Sequence, residues 1–310
     1  MTELPAFPEF KQIELADRSS VEKLTEKFPP YSDFHFSSLY SWDINKKMGL
    51  SVLNGNLVVL FNDYISGSFF LTFIGDSKIS ETASILLDFS KQNGYESSLK
   101  LIPEEMAKVL SETGFSVEPD AGAHDYIYSI ERLANMEEWS KSTQKKQIRK
   151  FMDTNPQYSA RILPTKELDK REYLELFKQW ATNKNLLDHT ELNEYKAFSR
   201  LLAENNGDVE MLSIYSDESC KKMIGFTSFE TISDDYAIAH FSKADIKHHA
   251  AIYCVLIWEE AKYLQKKGIK HYNWEQDLDI PGLRTFKMSY KPEFFLKQYT
   301  VSLPVLSSQS

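Results

Sequence analysis

The segment HYNWEQDLDIPGLRTFKMSYKP, residues 271–292, carries an unusual set of ionisable side chains. A predicted strand bearing Glu275 leads into a turn with Asp277 and then into a short helix that displays Arg284 and Lys287. Two carboxylates followed by two cations can bind a zwitterion, or can hold a cationic ligand beside an anionic one. The same four side chains can also pair with one another as internal salt bridges. The residues alone leave both interpretations open.

The short helix of this segment has two predicted faces. Leu283, Phe286 and Tyr290 recur at three- and four-residue spacing, so we expect them to face the core. Arg284 and Lys287 share another face. This pattern predicts that the two cations are presented together.

A second candidate region is AHFSKADIKHH, residues 239–249, where a predicted strand gives way to a helix. His240 and Ser242 lie near the end of the strand, and Lys243 and Asp245 lie beside the helix. The carboxyl end of a strand, next to the free backbone donors of a helix N-terminus, suits anionic ligands. The joint contains no glycine, which disfavours a backbone cradle for a pyrophosphate.

The sequence does not favour a metal centre. His248 and His249 are adjacent, so their side chains diverge, and no third ligand follows at a helpful spacing. Cys254 lies in an apolar helical run and is typical of a packed thiol. With Cys220 as the only other cysteine, no disulfide framework is expected.

A third feature is the basic segment WSKSTQKKQIRKF, in which residues 141–150 contain five basic side chains and no acidic one. Those on the predicted helix are Lys145, Lys146, Arg149 and Lys150. If Ser142 caps this helix, its buried stripe consists of Ile148, Phe151 and Met152. Lys146 and Lys150 then point away from the core, and Lys145 and Arg149 flank the stripe. Such a helix can bind a phosphate backbone or an anionic lipid surface, or it can be an ordinary solvated face.

The composition is that of a folded soluble protein. The 310 residues include 36 basic and 45 acidic side chains, a net charge of −9, and 42% are hydrophobic. No signal-peptide pattern begins the chain, and no apolar stretch approaches the roughly 20 residues of a spanning helix. We therefore expect a cytoplasmic protein, at most peripheral to a membrane.

The negative charge is unevenly distributed along the chain. Residues 1–135 carry the whole excess, a net of −9, whereas residues 136–310 are neutral. An acidic total disfavours indiscriminate nucleic-acid binding, which depends on neutralising phosphates. The neutral second part still allows one nucleic-acid end to dock locally.

The order of predicted elements occurs twice. Each half contains hairpin strands, a helix, a strand, a second helix and a closing strand, with further helices before each sheet. The Asn54-Gly55 pair is a strong hairpin signal. A duplicated α+β domain leaves this pattern, and we place the boundary between residues 1–135 and 136–310.

With these residues in view, the chain resembles the phosphatidylglycerol lysyltransferase C-terminal domain family. The similarity runs from SDFHFSSLYSW through DYIYSIERL and KKQIRKF to DLDIPGLRTFKMSYKP. The last segment is the most specific, because the family pattern there is close to E-x-D-L-G-x-x-G-L-R-x-x-K-x-S-Y-x-P. The matching positions are Glu275, Asp277, Gly282, Arg284, Lys287, Ser289, Tyr290 and Pro292.

The departures from the family pattern concern the candidate site. Asp279 stands where the family usually has glycine, and Trp274 where it often has arginine. Ser242 replaces a common glutamate, and Ala250 and Ile252 replace a usual glycine and tyrosine. These changes leave the fold expectation intact, but they bar a direct transfer of substrate.

The resemblance implies two tandem GNAT-like domains, each a mixed, mainly antiparallel sheet flanked by helices. In such a domain two central strands splay apart around the reacting groups. Here those strands are DYAIAHFS and HYNWEQ, so Lys243, Asp245, Glu275 and Asp277 are expected to converge as catalytic residues.

The activity implied by the resemblance is transfer of an aminoacyl group from a charged tRNA to a hydroxyl or amine acceptor. Arg284, Lys287 and Tyr290 would then bind substrate, with the two cations holding the tRNA 3′ end. The basic helix would add phosphate contacts. Aminoacyl-tRNA is the expected co-substrate, with no bound cofactor, and the acceptor is a small molecule or a lipid headgroup.

Two other functions compete with this one. The general fold permits an acyl-CoA-dependent N-acyltransferase, which the glycine-poor joint before Ala250 disfavours. A tandem domain that binds a ligand or partner without turnover is favoured by the family residues that are missing.

Overall fold

The computed structural model describes residues 3–63, 66–135, 143–186, 189–203 and 208–304, with the side chains of 189–192 left aside. Its contacts divide the chain into two compact units. The first comprises Met1–Asp125, Gln276–Phe286 and Phe295–Ser310, and the second comprises Tyr126–Glu275 and Lys287–Phe294. The fold class is α+β with mainly antiparallel sheets, as the sequence predicts.

The first unit is built from short helices and two sheets. Its helices are α1 (Arg18–Thr25), α2 (Phe36–Trp42), α3 (Ile79–Asn93) and α4 (Glu104–Glu112). Its strands are β1 (Lys11–Gln12), β2 (Gly49–Leu53), β3 (Asn56–Asn62), β4 (Phe69–Ile74), β5 (Leu99–Pro103), β6 (Ser116–Pro119) and, from the end of the chain, β14 (Gln298–Ser302). Within the described residues they form the sheets β1-β2-β3-β4 and β5-β14-β6.

The second unit contains one continuous sheet with helices around it. Its helices are α5 (Ile130–Ala134), α6 (Thr143–Thr154), α7 (Lys170–Asn183), α8 (His189–Ala203) and α9 (Ile252–Lys266). Its strands are β7 (Asp125–Ser129), β8 (Ser159–Pro164), β9 (Val209–Tyr215), β10 (Met223–Thr231), β11 (Tyr236–Ala244), β12 (His271–Asn273) and β13 (Phe294–Leu296), in the order β13-β7-β12-β11-β10-β9-β8. Helix α10 (Pro281–Ser289) is shared by the two divisions of the chain.

The duplicated order of elements is present, but the closing strands are exchanged. Strand β14 lies between β5 and β6 in the first unit, while β7 lies between β12 and β13 in the second. The first division falls at Asp125–Tyr126, and two late segments, Gln276–Phe286 and Phe295–Ser310, also belong to the first unit. The sequence suggested a single boundary after residue 135. Strand pairing over such separations depends on the partner sheet rather than on local sequence.

Local signals explain why the elements begin and end where they do. Asn54 and Gly55 both have positive φ, 55° and 82°, which a tight turn between β2 and β3 requires. Gly94, at φ 69°, ends α3 in the left-handed conformation. These turn and cap residues set the element order that the sequence predicts.

Aromatic packing fixes two helices of the second unit against its sheet. The Phe198 ring stacks on Phe226 at 5.0 Å and on Phe177 at 5.5 Å between centroids, and all three are buried. Such pairs contribute about 0.5–1.5 kcal/mol beyond the area that they bury. They hold α7 and α8 beside the carboxyl end of β11. Among the described residues, no helix combines the length and apolarity that crossing a bilayer demands.

Candidate functional site

The two strands predicted to flank the reacting groups are neighbours in the second unit. Strands β11 and β12 pair in parallel from Tyr236 opposite His271 to Ile238 opposite Asn273. Beyond that point β12 ends, whereas β11 continues to Ala244. The residues that follow this end of the pairing include His240 on β11 and Glu275 after β12.

Glu275 is held in an unusual backbone conformation. Its φ is +57°, in the left-handed region that a non-glycine residue seldom adopts. Asn273 Oδ1 accepts a hydrogen bond from the Glu275 N–H at 2.7 Å, and the Glu275 carbonyl accepts bonds from Tyr126 N and Lys287 Nζ, both at 3.1 Å. A strained residue secured on both sides is a common feature of functional sites.

The Glu275 carboxylate belongs to a buried cluster with His240 and Glu230. Glu275 Oε1 lies 3.5 Å from His240 Nδ1, and Glu230 Oε2 lies 2.9 Å from His240 Nε2. Burial alone would lower the pKa of His240, but its hydrogen bonds to the two carboxylates raise the pKa to about 9. The imidazole is therefore positively charged at neutral pH.

A β-bulge lies at His240. Thr227 is opposite Ser242 and Phe229 is opposite Ala239, so the two residues between them on β11 face Ser228 alone. The Phe241 N–H donates to Ser228 Oγ at 2.9 Å, which satisfies the backbone of the bulge. Glu230 was not identified from the sequence, although a glutamate near the end of an otherwise buried strand was an available signal.

Lys243, a predicted catalytic residue, lies in a partly aromatic environment in the second unit. Its ammonium is 2.5 Å from Glu194 Oε1 on α8 and lies over the rings of Trp180 at 4.2 Å and Phe177 at 5.0 Å on α7. The side chain is buried. Glu194 was missed in the sequence, since no local pattern links α8 to β11.

Asp245, also predicted to be catalytic, is buried at the end of the same strand. Its carboxylate accepts hydrogen bonds from His248 Nδ1 at 2.9 Å and Gln179 Nε2 at 3.2 Å, and its backbone carbonyl accepts one from the His249 N–H at 3.0 Å. The contacts of Lys243 and Asp245 are thus with α7, α8 and the following turn, whereas Glu275 contacts His240.

In the first unit, Asp277 and Arg284 form a bidentate ion pair. Arg284 donates from Nε to Asp277 Oδ2 at 2.7 Å and from Nη2 to Oδ1 at 2.9 Å, and Nη2 also reaches Asp279 Oδ1 at 2.6 Å. Asp277 is fully buried, and these hydrogen bonds raise the pKa of Arg284 above its ordinary value. The sequence left open whether these side chains bind a ligand or pair with one another, and Asp277, Asp279 and Arg284 form an internal salt bridge.

The side chain of Asp279 packs against Gly122. A Cβ added at Gly122 would lie 2.6 Å from Asp279 Oδ2, so only glycine fits there without displacement. The Leu278 N–H also donates to the Gly122 carbonyl at 2.9 Å. The aspartate that replaces the usual family glycine is therefore built into the turn.

Lys287 and Tyr290 are buried within the second unit. Lys287 Nζ donates to the carbonyls of Trp274 at 2.5 Å and Glu275 at 3.1 Å, and Tyr290 Oη donates to Cys254 Sγ at 3.3 Å. Lys287 thus supports the segment that carries Glu275, whereas Tyr290 contacts α9 through Cys254. Their substrate-binding role stays a prediction.

The predicted faces of α10 are partly wrong. Tyr290 is buried as expected, but Phe286 is 36% exposed, whereas Lys287 is only 6% exposed. The lysine turns inward because its ammonium group donates hydrogen bonds to the backbone carbonyls of Trp274 and Glu275. The apolar periodicity therefore predicted the wrong burial for Phe286 and Lys287.

The basic helix α6 is formed, with one cation inside. Ile148 and Phe151 are buried as predicted, but Met152 is 37% exposed and Lys145 is buried. The expected buried position of Met152 and the flanking position of Lys145 are therefore wrong. The basic side chains of α6 that are exposed are Lys146, Arg149 and Lys150. The proposed cap Ser142 lies outside the described residues.

Comparisons with known proteins agree with this architecture. A conserved protein of unknown function from Bacteroides thetaiotaomicron superposes with a TM-score of 0.78 at 24% identity, covering 95% of this chain and 99% of that one. L-PGS from Bacillus licheniformis gives a TM-score of 0.61 at 12% identity, covering 97% of this chain and 94% of that chain. At these identities the likeness shows the fold alone.

The family comparison is more specific. No curated protein matches the chain. The family model described as phosphatidylglycerol lysyltransferase, C-terminal, matches residues 25–302. The chain belongs to the phosphatidylglycerol lysyltransferase C-terminal family.

Proposed function

We propose that this protein transfers an aminoacyl group from a charged tRNA to a hydroxyl or amine acceptor. The observation that carries the proposal is the family match over residues 25–302. The strained, partly exposed Glu275 at the end of the β11 and β12 pairing supports it. Aminoacyl-tRNA is the donor, and the acceptor is a small molecule or a lipid headgroup.

The chemistry asks little of the protein beyond positioning. An aminoacyl ester is already activated, so the acceptor oxygen or nitrogen attacks its carbonyl carbon and the bond to the tRNA ribose oxygen breaks. Glu275 accepts the proton lost by the acceptor, and this proton ends on the departing ribose oxygen. Glu275 can alternatively bind the ammonium group of the amino acid through its partly exposed, anionic side chain.

Lys243 and Asp245 are proposed to act at the carboxyl end of β11. Lys243 supplies the positive charge that stabilises the oxyanion developing on the ester carbonyl, which requires its Glu194 contact to open. Asp245 fixes the turn that follows the strand through His248 and Gln179. We also propose the roles predicted from the sequence for the remaining residues. Asp277 is catalytic, and substrate is bound by Arg284, Lys287 and Tyr290, in addition to the contacts described above.

The direct test is a transfer assay with the purified full chain. Each of a set of tRNAs carrying a radiolabelled amino acid is incubated with the protein and, in separate reactions, with phosphatidylglycerol vesicles and with amine acceptors. The expected result is labelled aminoacyl acceptor that depends on protein concentration. Absence of label in every acceptor with every charged tRNA would overturn the proposal.

One observation favours a second candidate, ligand binding without turnover. Asp279, which departs from the family pattern, takes part in the Arg284 ion pair, so this cation is engaged within the first unit. Melting temperatures with charged tRNA, acetyl-CoA and free amino acids separate the candidates, because a ligand that binds the native state raises Tm. A rise with acetyl-CoA alone would instead indicate an acyl-CoA-dependent enzyme.

A further inference from the structure

Three neighbouring strands of the second unit align a row of ionisable side chains. Glu230 is on β10, His240 is on the adjoining β11, and Glu275 lies two residues after the end of β12. Both nitrogens of the His240 ring face a carboxylate oxygen, at 2.9 Å and 3.5 Å. A neutral imidazole has one N–H and cannot donate to both, so this arrangement matches the doubly protonated ring.

Only one end of this row reaches solvent. The side chains of Glu230 and His240 are each 2% exposed, whereas that of Glu275 is 22% exposed. The buried Glu230 therefore anchors the imidazole of His240, and the imidazole in turn faces the partly exposed carboxylate of Glu275. The bulge at His240 and its Ser228 bond hold the strand in the shape that this requires.

We propose that His240, anchored by Glu230, is a positioning residue that fixes the direction of the Glu275 carboxylate. The proposal rests on the proposed function, in which Glu275 acts on the acceptor or on the amino group. The backbone of Glu275 is already secured by Asn273 and Lys287, so the His240 contact fixes the remaining freedom of the side chain. A reacting group held at both ends is preorganised for its task.

The stability of the fold does not by itself require this row. Taking ionised groups out of water is costly, and buried ion pairs can often be replaced by apolar residues without loss of stability. A buried carboxylate and a buried, charged imidazole beside the partly exposed Glu275 therefore indicate a use that apolar packing cannot supply. Orientation of Glu275 is such a use.

The activity arm of the test compares four single variants, Glu230→Gln, His240→Gln, Glu275→Gln and the control His271→Gln on β12. We expect Glu230→Gln and His240→Gln to lower kcat by about 10-fold or more with KM within about twofold, since positioning acts on the reacting geometry. The double variant His240→Gln with Glu275→Gln should be no slower than Glu275→Gln alone. Additive losses, or an equal loss in His271→Gln, would overturn the proposal.

The spectroscopic arm does not depend on the activity. In protein labelled with ¹⁵N-histidine, the His240 nitrogens should both be protonated at pH 7.5, and Glu275→Gln should shift the Nδ1 resonance while the fold stays intact by melting temperature. A neutral His240, or an Nδ1 resonance that ignores Glu275→Gln, would refute the positioning contact. If the wild type transfers no aminoacyl group, the proposed function fails, and this arm still decides whether His240 holds Glu275.

Discussion

Each unit of this protein contains a carboxylate paired with a cation, and the two pairs are built differently. In the first, Asp277 is fully buried and binds Arg284 through both of its oxygens. In the second, Glu275 remains partly exposed and faces His240, a cation that can titrate.

The difference separates a pair with a buried, doubly bonded carboxylate from one with a partly exposed carboxylate. A bidentate arginine pair has fixed geometry, and its guanidinium keeps its charge at any accessible pH, so it suits the locking of a turn. The contact with an imidazole leaves the Glu275 side chain partly exposed to solvent. Two carboxylates of one motif, Glu275 and Asp277, are therefore placed in different environments although they are only two residues apart.

The largest expected effect concerns Glu275. Glu275→Gln keeps the shape of the side chain but removes its charge, and it should lower the transfer rate by about 100-fold or more, the range typical of general acid–base groups. Its melting temperature should stay near that of the wild type. Single-turnover transfer from charged tRNA measures the effect.

Glu218→Gln, in an exposed loop of the same unit, is the control for that experiment. It should transfer at the wild-type rate. Full activity of the Glu275→Gln protein would show that the Glu275 carboxylate takes no part in transfer.

The second prediction concerns pH, because the second unit also buries Glu260 on α9. Burial raises the pKa of Glu260 to about 8, above the value near 4.5 expected in the unfolded chain. The folded state thus binds the proton more tightly, and stability present at low pH is lost as pH rises from about 4.5 to 8. Glu260→Gln should remove this dependence. The free energy of unfolding lost between pH 5 and pH 7.5 should then be smaller in the variant than in the wild type by on the order of 3 kcal/mol.

Urea unfolding at both pH values measures this prediction, with the exposed Glu175→Gln on α7 as the matched control. His240 acts in the same direction. Its raised pKa contributes stability that is complete below about pH 6.5 and is lost as pH rises through about 9. Equal pH dependence in Glu260→Gln and wild type would show that Glu260 is not the buried acid that the fold suggests.

The third prediction concerns the pair formed by Asp277 and Arg284. Asp277→Asn leaves a buried amide opposite Arg284 and weakens two charge-assisted hydrogen bonds, so Tm should fall by roughly 5 °C. Asp76→Asn breaks the exposed pair with Lys27 in the same unit and should change Tm by about 1 °C or less. Differential scanning calorimetry makes the comparison. Equal shifts in the two variants would show that burial of Asp277 adds nothing to its pairing.

The sequence predicts the repeated order of elements because its signals are local. Asn54-Gly55 and Gly94 mark turns and helix ends through their own backbone preferences. The exchange of β7 and β14 was not predictable in this way. Each strand pairs with a sheet formed by distant segments, and nothing in its own residues distinguishes one sheet from the other.

The candidate site shows the same limit. Spacing identified Glu275 and Arg284, but His240, which contacts Glu275, lies on β11, and Glu230, which contacts His240, lies on β10. Only the sheet brings these strands together. Helical periodicity also placed Lys287 on the wrong face, because the carbonyls that accept its hydrogen bonds lie outside α10. Local patterns thus located ionisable residues, and tertiary contacts determined their partners.

The smallest expected effect concerns the exposed cations of α6 in the second unit. Lys146→Glu with Lys150→Glu should weaken binding of charged tRNA about 10-fold at moderate salt and flatten its salt dependence, since each lost phosphate contact lowers the slope of log K against log salt by about 0.7–0.9. The control, Lys91→Glu with Lys108→Glu on α3 and α4, makes the same charge change in the first unit. Filter binding between 50 and 200 mM salt, a range over which phosphate contacts weaken strongly, measures both. If the two double variants weaken binding equally, the effect reflects net charge alone, and tRNA recognition does not belong to the basic helix of the second unit.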